Sequence, residues 1–347
     1  MKIGKAHISP THPCYIIAEA GVNHNGQLDL ALELVKQAKA TGADCVKFQT
    51  FKAAAVVTQN APKANYQLEV TDRKESQLAM LKKLELDLAD YQQIIALCKK
   101  LDIQFLSTPY NYADADFLNE LGVDAFKIAS GQLVELPFLE YVAKLGKPMI
   151  ISSGMATLAE VYEGVETIRK AGNQEIVLLQ CTTNYPSKIE DTNLKAMNSM
   201  GQALKVLIGY SDHVANNYAC FAAVALGARV IEKHFTLDRE MPGPDHSCSL
   251  DPAGFTELVR GIRQTELALG TALKKPSPAE VANTVGMRRS IVLLKDLPKG
   301  TIIKATDLAF KRPATGLAPK RLSELIGKSL TSDLPADHLL TDKDINW

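Results

Sequence analysis

Six side chains in this sequence combine the types and spacing that chemistry needs. His213 ends the run KVLIGYSDH from Lys205, and His234 lies near the end of ARVIEKHF from Ala228. Two imidazoles with open coordination positions suit a divalent transition metal. The alternative is a pair of structural histidines that happen to fall at strand ends. Glu19, in CYIIAEAGVN from Cys14, and Glu232, two residues before His234, are the carboxylates. In an extended chain Glu232 and His234 share one side. Carboxylates so placed bind metal, position water or act as acid and base, or they form a salt bridge at a rim. Lys47, in DCVKFQT from Asp44, and Lys127, in DAFKIAS from Asp124, are the cations. Two ammonium groups directed at one place need anionic company. Ser130, Ser152, Ser153 and Ser211 add hydroxyls, and Gly131 and Gly154 add exposed backbone N–H groups. That combination suits a phosphate or carboxylate. Each serine alone also reads as a turn or cap, and a buried Lys127 also suits a Schiff base.

Something must hold these groups together. The four runs above that begin at Cys14, Asp44, Asp124 and Ala228 belong to a series of eight, with KVLIGYSDH as the seventh. The others are IQFLSTPY from Ile103, PMIISSG from Pro148 and IVLLQCTTNYP from Ile176. Each is short, apolar and β-branched enough for a strand buried on both faces. Amphipathic helices fit 27–41, 88–101, 112–121, 135–145, 157–171, 216–226 and 252–269. Eight strand–helix units in series predict a (β/α)8 TIM barrel, an α/β fold whose chemistry sits at the C-terminal strand ends. The polar clusters fall at those ends. The stretch 52–87 is long for a connection on that face, where long connections carry function. Asn23, His24 and Asn25 are either contacts or turn formers. MPGPDH (241–246) is either a cover with Asp245 as a contact or a rigid turn. Residues 1–269 make the barrel, 270–285 read as a linker, and 286–347 read as a compact unit of short strands. About sixty residues is small for an independent core, so that unit is expected to pack against a barrel.

Composition excludes some classes. The 347 residues balance 39 Lys+Arg against 39 Asp+Glu. No basic excess points to nucleic acid, and no polybasic stretch points to an anionic membrane. No apolar run reaches the roughly 18 residues of a membrane span. Six scattered cysteines without CxxC, several inside apolar runs, fit reduced thiols and a cytoplasmic protein.

Nine motifs in order, AEAGVNHNG, VKFQTF, LSTPY, FKIASG, ISSGMAT, CTTNYP, GYSDH, IEKHFT and GPDH, together resemble the bacterial N-acetylneuraminate (sialic acid) synthase family, which includes legionaminic acid synthases. The C-terminal unit, with KRPATGL, resembles that family's antifreeze-like (SAF) domain. The resemblance implies condensation of phosphoenolpyruvate with an open-chain N-acylated mannosamine, giving a nine-carbon 2-keto acid and phosphate. N-acetylmannosamine stands first as acceptor and the 2,4-diacetamido-2,4,6-trideoxy sugar second. A non-catalytic glycan- or ice-binding protein is the alternative of another class. The resemblance further implies a divalent metal on His213 and His234, Mn(II) ahead of Mg or Co. Glu19, Glu232 and Lys127 would be catalytic. Lys47, Gln49, Thr108, Ser130, Ser152, Thr183 and Ser211 would bind phosphoenolpyruvate, and Asn65, Tyr185 and Asp245 the amino sugar. Arg312 would reach the active site of a partner subunit in a domain-swapped homodimer. The chain departs from the pattern at Gln132, where relatives commonly carry Glu and where a substrate contact is expected. It also departs at KRPATG in place of KRPGNG, and at Thr183 in place of Asn or Ser.

Overall fold

The computed structural model describes residues 1–63, 67–68, 71–72 and 74–347. They form two compact units, Met1–Gly270 and Thr271–Trp347.

The first unit is the expected barrel. Its strands are β1 (Tyr15–Gly21), β2 (Cys45–Thr50), β3 (Gln104–Pro109), β4 (Phe126–Ile128), β5 (Met149–Ser152), β6 (Ile176–Cys181), β7 (Leu207–Asp212) and β8 (Val230–His234). All pair in parallel, in the order β3-β2-β1-β8-β7-β6-β5-β4. The end strands β3 and β4 lie against each other, so the sheet closes. The helices between them are α1 (Leu28–Ala40), α2 (Leu88–Leu101), α3 (Tyr112–Glu120), α4 (Leu136–Lys144), α5 (Leu158–Lys170), α6 (Lys195–Leu204), α7 (Tyr218–Ala225) and α8 (Pro252–Leu269). Sequence periodicity found all but α6. That helix buries only Met197, Met200 and Leu204, and Asn198, Ser199 and Gly201 dilute its stripe. Two short helices, Ala53–Val56 and Gln77–Lys82, lie in the long connection after β2.

A strand sends alternate side chains to opposite faces, and here the two faces form separate cores. Ile16, Val46, Phe105, Phe126, Ile151, Leu178, Tyr210 and Ile231 pack outward against the helices. Ile17, Cys45, Leu106, Ala125, Ile150, Leu179 and Val230 pack inside the barrel, joined by Ile3 and Ile8 from the N-terminal segment. Gly209 fills the corresponding place on β7, where a Cβ would sit 2.4 Å from Val230 O and 2.5 Å from Leu179 Cδ2. The inner core therefore closes the N-terminal end of the barrel. Two residues further along each strand, the inward positions turn polar.

The second unit has its own apolar cluster, including Ile291, Leu293, Ile303, Leu325, Leu330 and Leu340. Antiparallel pairs join Ser290–Leu293 to Leu308–Lys311 and Ser329–Leu330 to Ile345–Asn346. Within 270–285, expected to be a linker, the structure has a helix beginning at Pro278 and running to Met287. Ser277 and Glu280 close a reciprocal capping box at its start. None of its residues is buried. No described helix is long and apolar enough to cross a membrane.

Candidate active site

The polar inward layer takes one residue from each strand: Glu19, Lys47, Thr108, Lys127, Ser152, Cys181, Ser211 and Glu232, in order from β1 to β8. Each stands two places after an inner-core position, and for that reason they converge. They line a cavity of about 410 Å³ at the C-terminal end of the barrel. Register brings specific pairs level: Glu19 with Lys47, Glu232 with Ser211, and His234 with Glu19.

The charges alternate. Lys47 Nζ lies 2.7 Å from Glu19 Oε2 and 3.7 Å from Glu232 Oε2, and Lys127 Nζ lies 3.5 Å from Glu232 Oε1. Lys47 also donates to Thr108 Oγ1 (3.2 Å), and Lys127 to Ser152 Oγ (2.7 Å) and the Ile128 carbonyl (3.1 Å). Ser211 donates to Glu232 Oε1 (3.0 Å), and Gln49 Nε2 to Glu19 Oε1 (3.2 Å). All four charged side chains are at most 5% exposed. Burial works against charge on Glu232, but Lys127 and Lys47 overcome it and hold the carboxyl at about 2. Burial also opposes charge on Lys47, yet Glu19 and Glu232 win and raise its pKa. Lys127 is pushed down by burial against the pull of Glu232. Glu19 is pushed up by burial, with Lys47 opposing. Two ammonium groups with three hydroxyls around them form a receptacle for an oxyanion, with the carboxylates available for proton transfer.

The histidines stand one step above this layer. Their ring centroids are 5.3 Å apart, and the Tyr185 ring packs 4.1 Å from His213 and 5.8 Å from His234. His213 Nδ1 lies 2.7 Å from the Thr182 carbonyl, so Nδ1 carries the hydrogen and Nε2 keeps its lone pair. His234 Nδ1 is buried without a hydrogen-bond partner. Burial and then His213 push its pKa well down, which keeps the ring neutral. Burial opposes charge on His213, but Cys181 and the Thr182 carbonyl outweigh it and raise its pKa, so a cation there competes with a proton for Nε2. With the open lone pair on His234, the pair fits a divalent cation. Among the described residues no group of three or more His, Cys, Asp or Glu is arranged to hold a metal. The pair therefore suits an open site whose other positions water or substrate oxygens fill. Asp245 Oδ2 lies 4.0 Å from His234 Nδ1, and burial pushes that carboxyl up to about 6.

Gln49, Ser130, Gln132, Thr183, Tyr185 and Asp245 also line the cavity. Gln132 is partly engaged by the chain itself. Its Nε2 donates to the Pro109 carbonyl (2.9 Å) and its Oε1 accepts from Ala129 N (3.2 Å), so the amide braces the ends of β3 and β4 and keeps one N–H over. Asn65 lies outside the described residues. Arg312 belongs to the second unit, where it is exposed and its Nε donates to the Met287 carbonyl (3.1 Å). Asn23, His24 and Asn25 do not line the cavity. Among the cavity residues that carried no role in the sequence reading, Tyr110 and Cys181 touch groups that did. Tyr110 donates its hydroxyl to Gln49 Oε1 (3.1 Å), and Cys181 Sγ lies 3.9 Å from His213 Nδ1. Stepping by two from the inner core would have found Cys181.

Comparison with known proteins agrees with this architecture. The NeuB family model matches residues 34–274, and a SAF domain model matches residues 288–346. N,N'-diacetyllegionaminic acid synthase of Campylobacter jejuni is 48% identical over 94% of this chain and 98% of its own length. The enzyme of the same name from Legionella pneumophila is 46% identical over 93% of this chain and 92% of its own. The crystal structure of spore coat polysaccharide biosynthesis protein spsE from Bacillus subtilis superposes with a TM-score of 0.68 at 33% identity, covering 100% of this chain and 99% of that one.

Proposed function

This chain belongs to the NeuB family, with a SAF domain after its barrel, and from that premise we propose that it is an N,N'-diacetyllegionaminate synthase. Its substrates are then phosphoenolpyruvate, 2,4-diacetamido-2,4,6-trideoxymannose and water, and its products the nine-carbon keto acid and phosphate. The observation that carries this choice is near-full-length identity of 48% and 46% to two enzymes of that name. N-acetylmannosamine, first by sequence motif, becomes the second reading.

The chemistry follows from the layer. Lys47, Lys127 and the hydroxyls of Thr108, Ser152 and Ser211 receive the phosphate and carboxylate of phosphoenolpyruvate, with Ser130, Gln49 and Thr183 at its edge. C3 of phosphoenolpyruvate bonds to the sugar aldehyde carbon, whose oxygen takes a proton and becomes a hydroxyl. Water adds at C2, the C2–O bond to phosphorus' oxygen breaks, and C2 is left as the ketone. Glu232, held ionised between two lysines, accepts a proton from that water, and Glu19, whose pKa burial raises, returns one. Lys127 stabilises the departing phosphate. A divalent metal, Mn(II) ahead of Mg or Co, would be held by His213 and His234 and would polarise the aldehyde oxygen. Tyr185 and Asp245 border the sugar. Arg312 of a second copy would complete the site in a domain-swapped homodimer; exposed Val281, Val285 and Met287 offer apolar surface for such an association. Six unpaired, buried thiols suit a reducing cytoplasm.

The test is phosphate release from phosphoenolpyruvate and Mn(II) with the two sugars side by side. The diacetamido sugar should give the higher kcat/KM by about tenfold or more, the discrimination a pocket achieves on one substituent. Preference for N-acetylmannosamine reverses the ranking, and no release with either sugar overturns the proposal.

A further inference from the structure

The segment Asn23-His24-Asn25, which follows β1, turns away from the cavity and ties down another loop. Asn23 Nδ2 donates to the Phe235 carbonyl and to Ser249 Oγ, both at 2.9 Å. Asn25 Nδ2 donates to the Pro242 carbonyl at 3.0 Å, and Asn25 Oδ1 lies 3.2 Å from His246 Nε2. His246 is fully buried, with Nδ1 2.6 Å from Thr236 Oγ1. These contacts fix one another. A carbonyl at Pro242 demands the amide nitrogen, so Asn25 presents its oxygen to His246. Nε2 must then carry the imidazole hydrogen, and Nδ1 at 2.6 Å takes the Thr236 hydroxyl hydrogen in preference to the Asp238 carbonyl at 3.1 Å.

Between these fastenings lies Asp245, whose carboxylate enters the cavity 4.0 Å from His234. Its own carbonyl accepts from Ser249 Oγ (2.6 Å) and Cys248 Sγ (3.1 Å). Gly243 lets the loop close on this strut. A Cβ there would meet His246 Cδ2 at 2.6 Å and Asn25 Oδ1 at 2.8 Å. Asn25 itself has φ +52°, a left-handed conformation that asparagine tolerates better than most residues.

We propose that Asn25 and His246 are positioning residues: together they hold Asp245 at the cavity, and through it they set the affinity for the acceptor sugar. This rests on the reading above that the sugar borders Asp245. The strut touches only the loop after β8. The lysines and hydroxyls assigned to phosphoenolpyruvate stand on other strands with bonds of their own, so loosening the strut leaves phosphoenolpyruvate binding alone.

Asn25→Gly keeps the backbone conformation and removes both side-chain bonds. It should raise the sugar KM by about tenfold, the worth of two ordinary hydrogen bonds, while kcat and the phosphoenolpyruvate KM stay unchanged. Asn25→Asp, which keeps the acceptor for His246, should recover part of that loss, and Gly243→Ala should reproduce it. In an Asp245→Asn background, Asn25→Gly should do nothing further, because the carboxylate it served is gone. An equal rise in both KM values, or the full effect persisting in the Asp245→Asn background, overturns the proposal. Should the unaltered chain release phosphate with no sugar, the functional reading fails by itself. The strut is then read by amide exchange at residues 241–249, where Asn25→Gly must accelerate exchange, and unchanged protection refutes it.

Discussion

The two faces of β8 carry buried polar groups that differ in how completely the protein satisfies them. Lys233 faces outward from β8, and its Nζ donates to Asp212 Oδ2 (2.5 Å), the Val214 carbonyl (2.6 Å) and the Asn216 carbonyl (2.7 Å). All three N–H groups end on protein. Asp212 in turn accepts from Tyr210 OH, Val214 N and Cys220 Sγ. On the inner face, Glu232 Oε2 and His234 Nδ1 are buried without hydrogen-bond partners. A buried charge whose bonds all close within the chain is a fastening. A buried cluster left with open valences is arranged for something that arrives.

The sharpest way to break this comparison is to remove one lysine from each side. Lys233→Met strands Asp212 as a lone buried charge and should cost about 3–5 kcal/mol of stability, seen as a lower urea midpoint. Lys127→Met should cost less stability, because Glu232 keeps Lys47. It should reduce kcat by about 10²–10³, as loss of one positioned donor does. If Lys127→Met unfolds the chain as readily as Lys233→Met, the distinction between fastening and site fails.

The histidine pair sharpens the same contrast. Chelation should abolish phosphate release, and Mn(II) should restore it. His213→Ala should weaken metal affinity with little loss of thermal stability, since its ring is held to the chain through Nδ1 alone, at the Thr182 carbonyl and more distantly at Cys181 Sγ. Unchanged metal affinity in both His213→Ala and His234→Ala would remove the ligand assignment. A Schiff base on Lys127 would instead leave activity in the presence of chelator.

A third buried region must stay uncharged, and acid should find it. Burial holds both His24 and His246 at about 4, well below the ordinary imidazole value of 6.5. Between those values the unfolded chain binds more protons than the folded one, so stability rises with pH across the window. Their contribution is therefore intact above about pH 6.5 and is lost as pH falls toward 4. Asp245, raised by burial to about 6, slopes the other way over part of this window, so the histidines are read by difference. His24→Asn should lose less melting temperature from pH 7 to pH 5 than the unaltered chain, and equal losses would contradict neutral burial of His24.

How much of this was legible in sequence depended on whether the signal was local. All eight strands announced themselves, because burial on both faces makes continuous apolar runs. Glu19, Lys47, Lys127 and Glu232 announced themselves as charges interrupting those runs. Cys181 did not, because a thiol in an apolar run looks like core. The helix from Pro278 had a cap signal but no apolar stripe, since it buries nothing. Asn25 read as either contact or turn because its partner His246 stands 221 positions away. Gln132 read as a substrate contact, and that its amide also braces Ala129 and Pro109 is visible only in three dimensions.

Arg312 is the smallest and least local of these cases. Exposed, with one side-chain bond to the Met287 carbonyl, it should cost the fold almost nothing when changed to Ala, within the roughly 0.5 kcal/mol typical of surface sites. Any larger effect must come from a ligand. If it completes a partner's site, Arg312→Ala should weaken sugar use by about 1.5–3 kcal/mol, the worth of a charged hydrogen bond. Mixing an Arg312→Ala chain with a Glu232→Ala chain then builds one intact site in each mixed dimer, made of one chain's barrel and the other chain's arginine. Activity should reappear in the mixture although the Glu232→Ala chain alone has none. Proven mixed dimers that remain as poor as Arg312→Ala alone would place this arginine outside the partner's site.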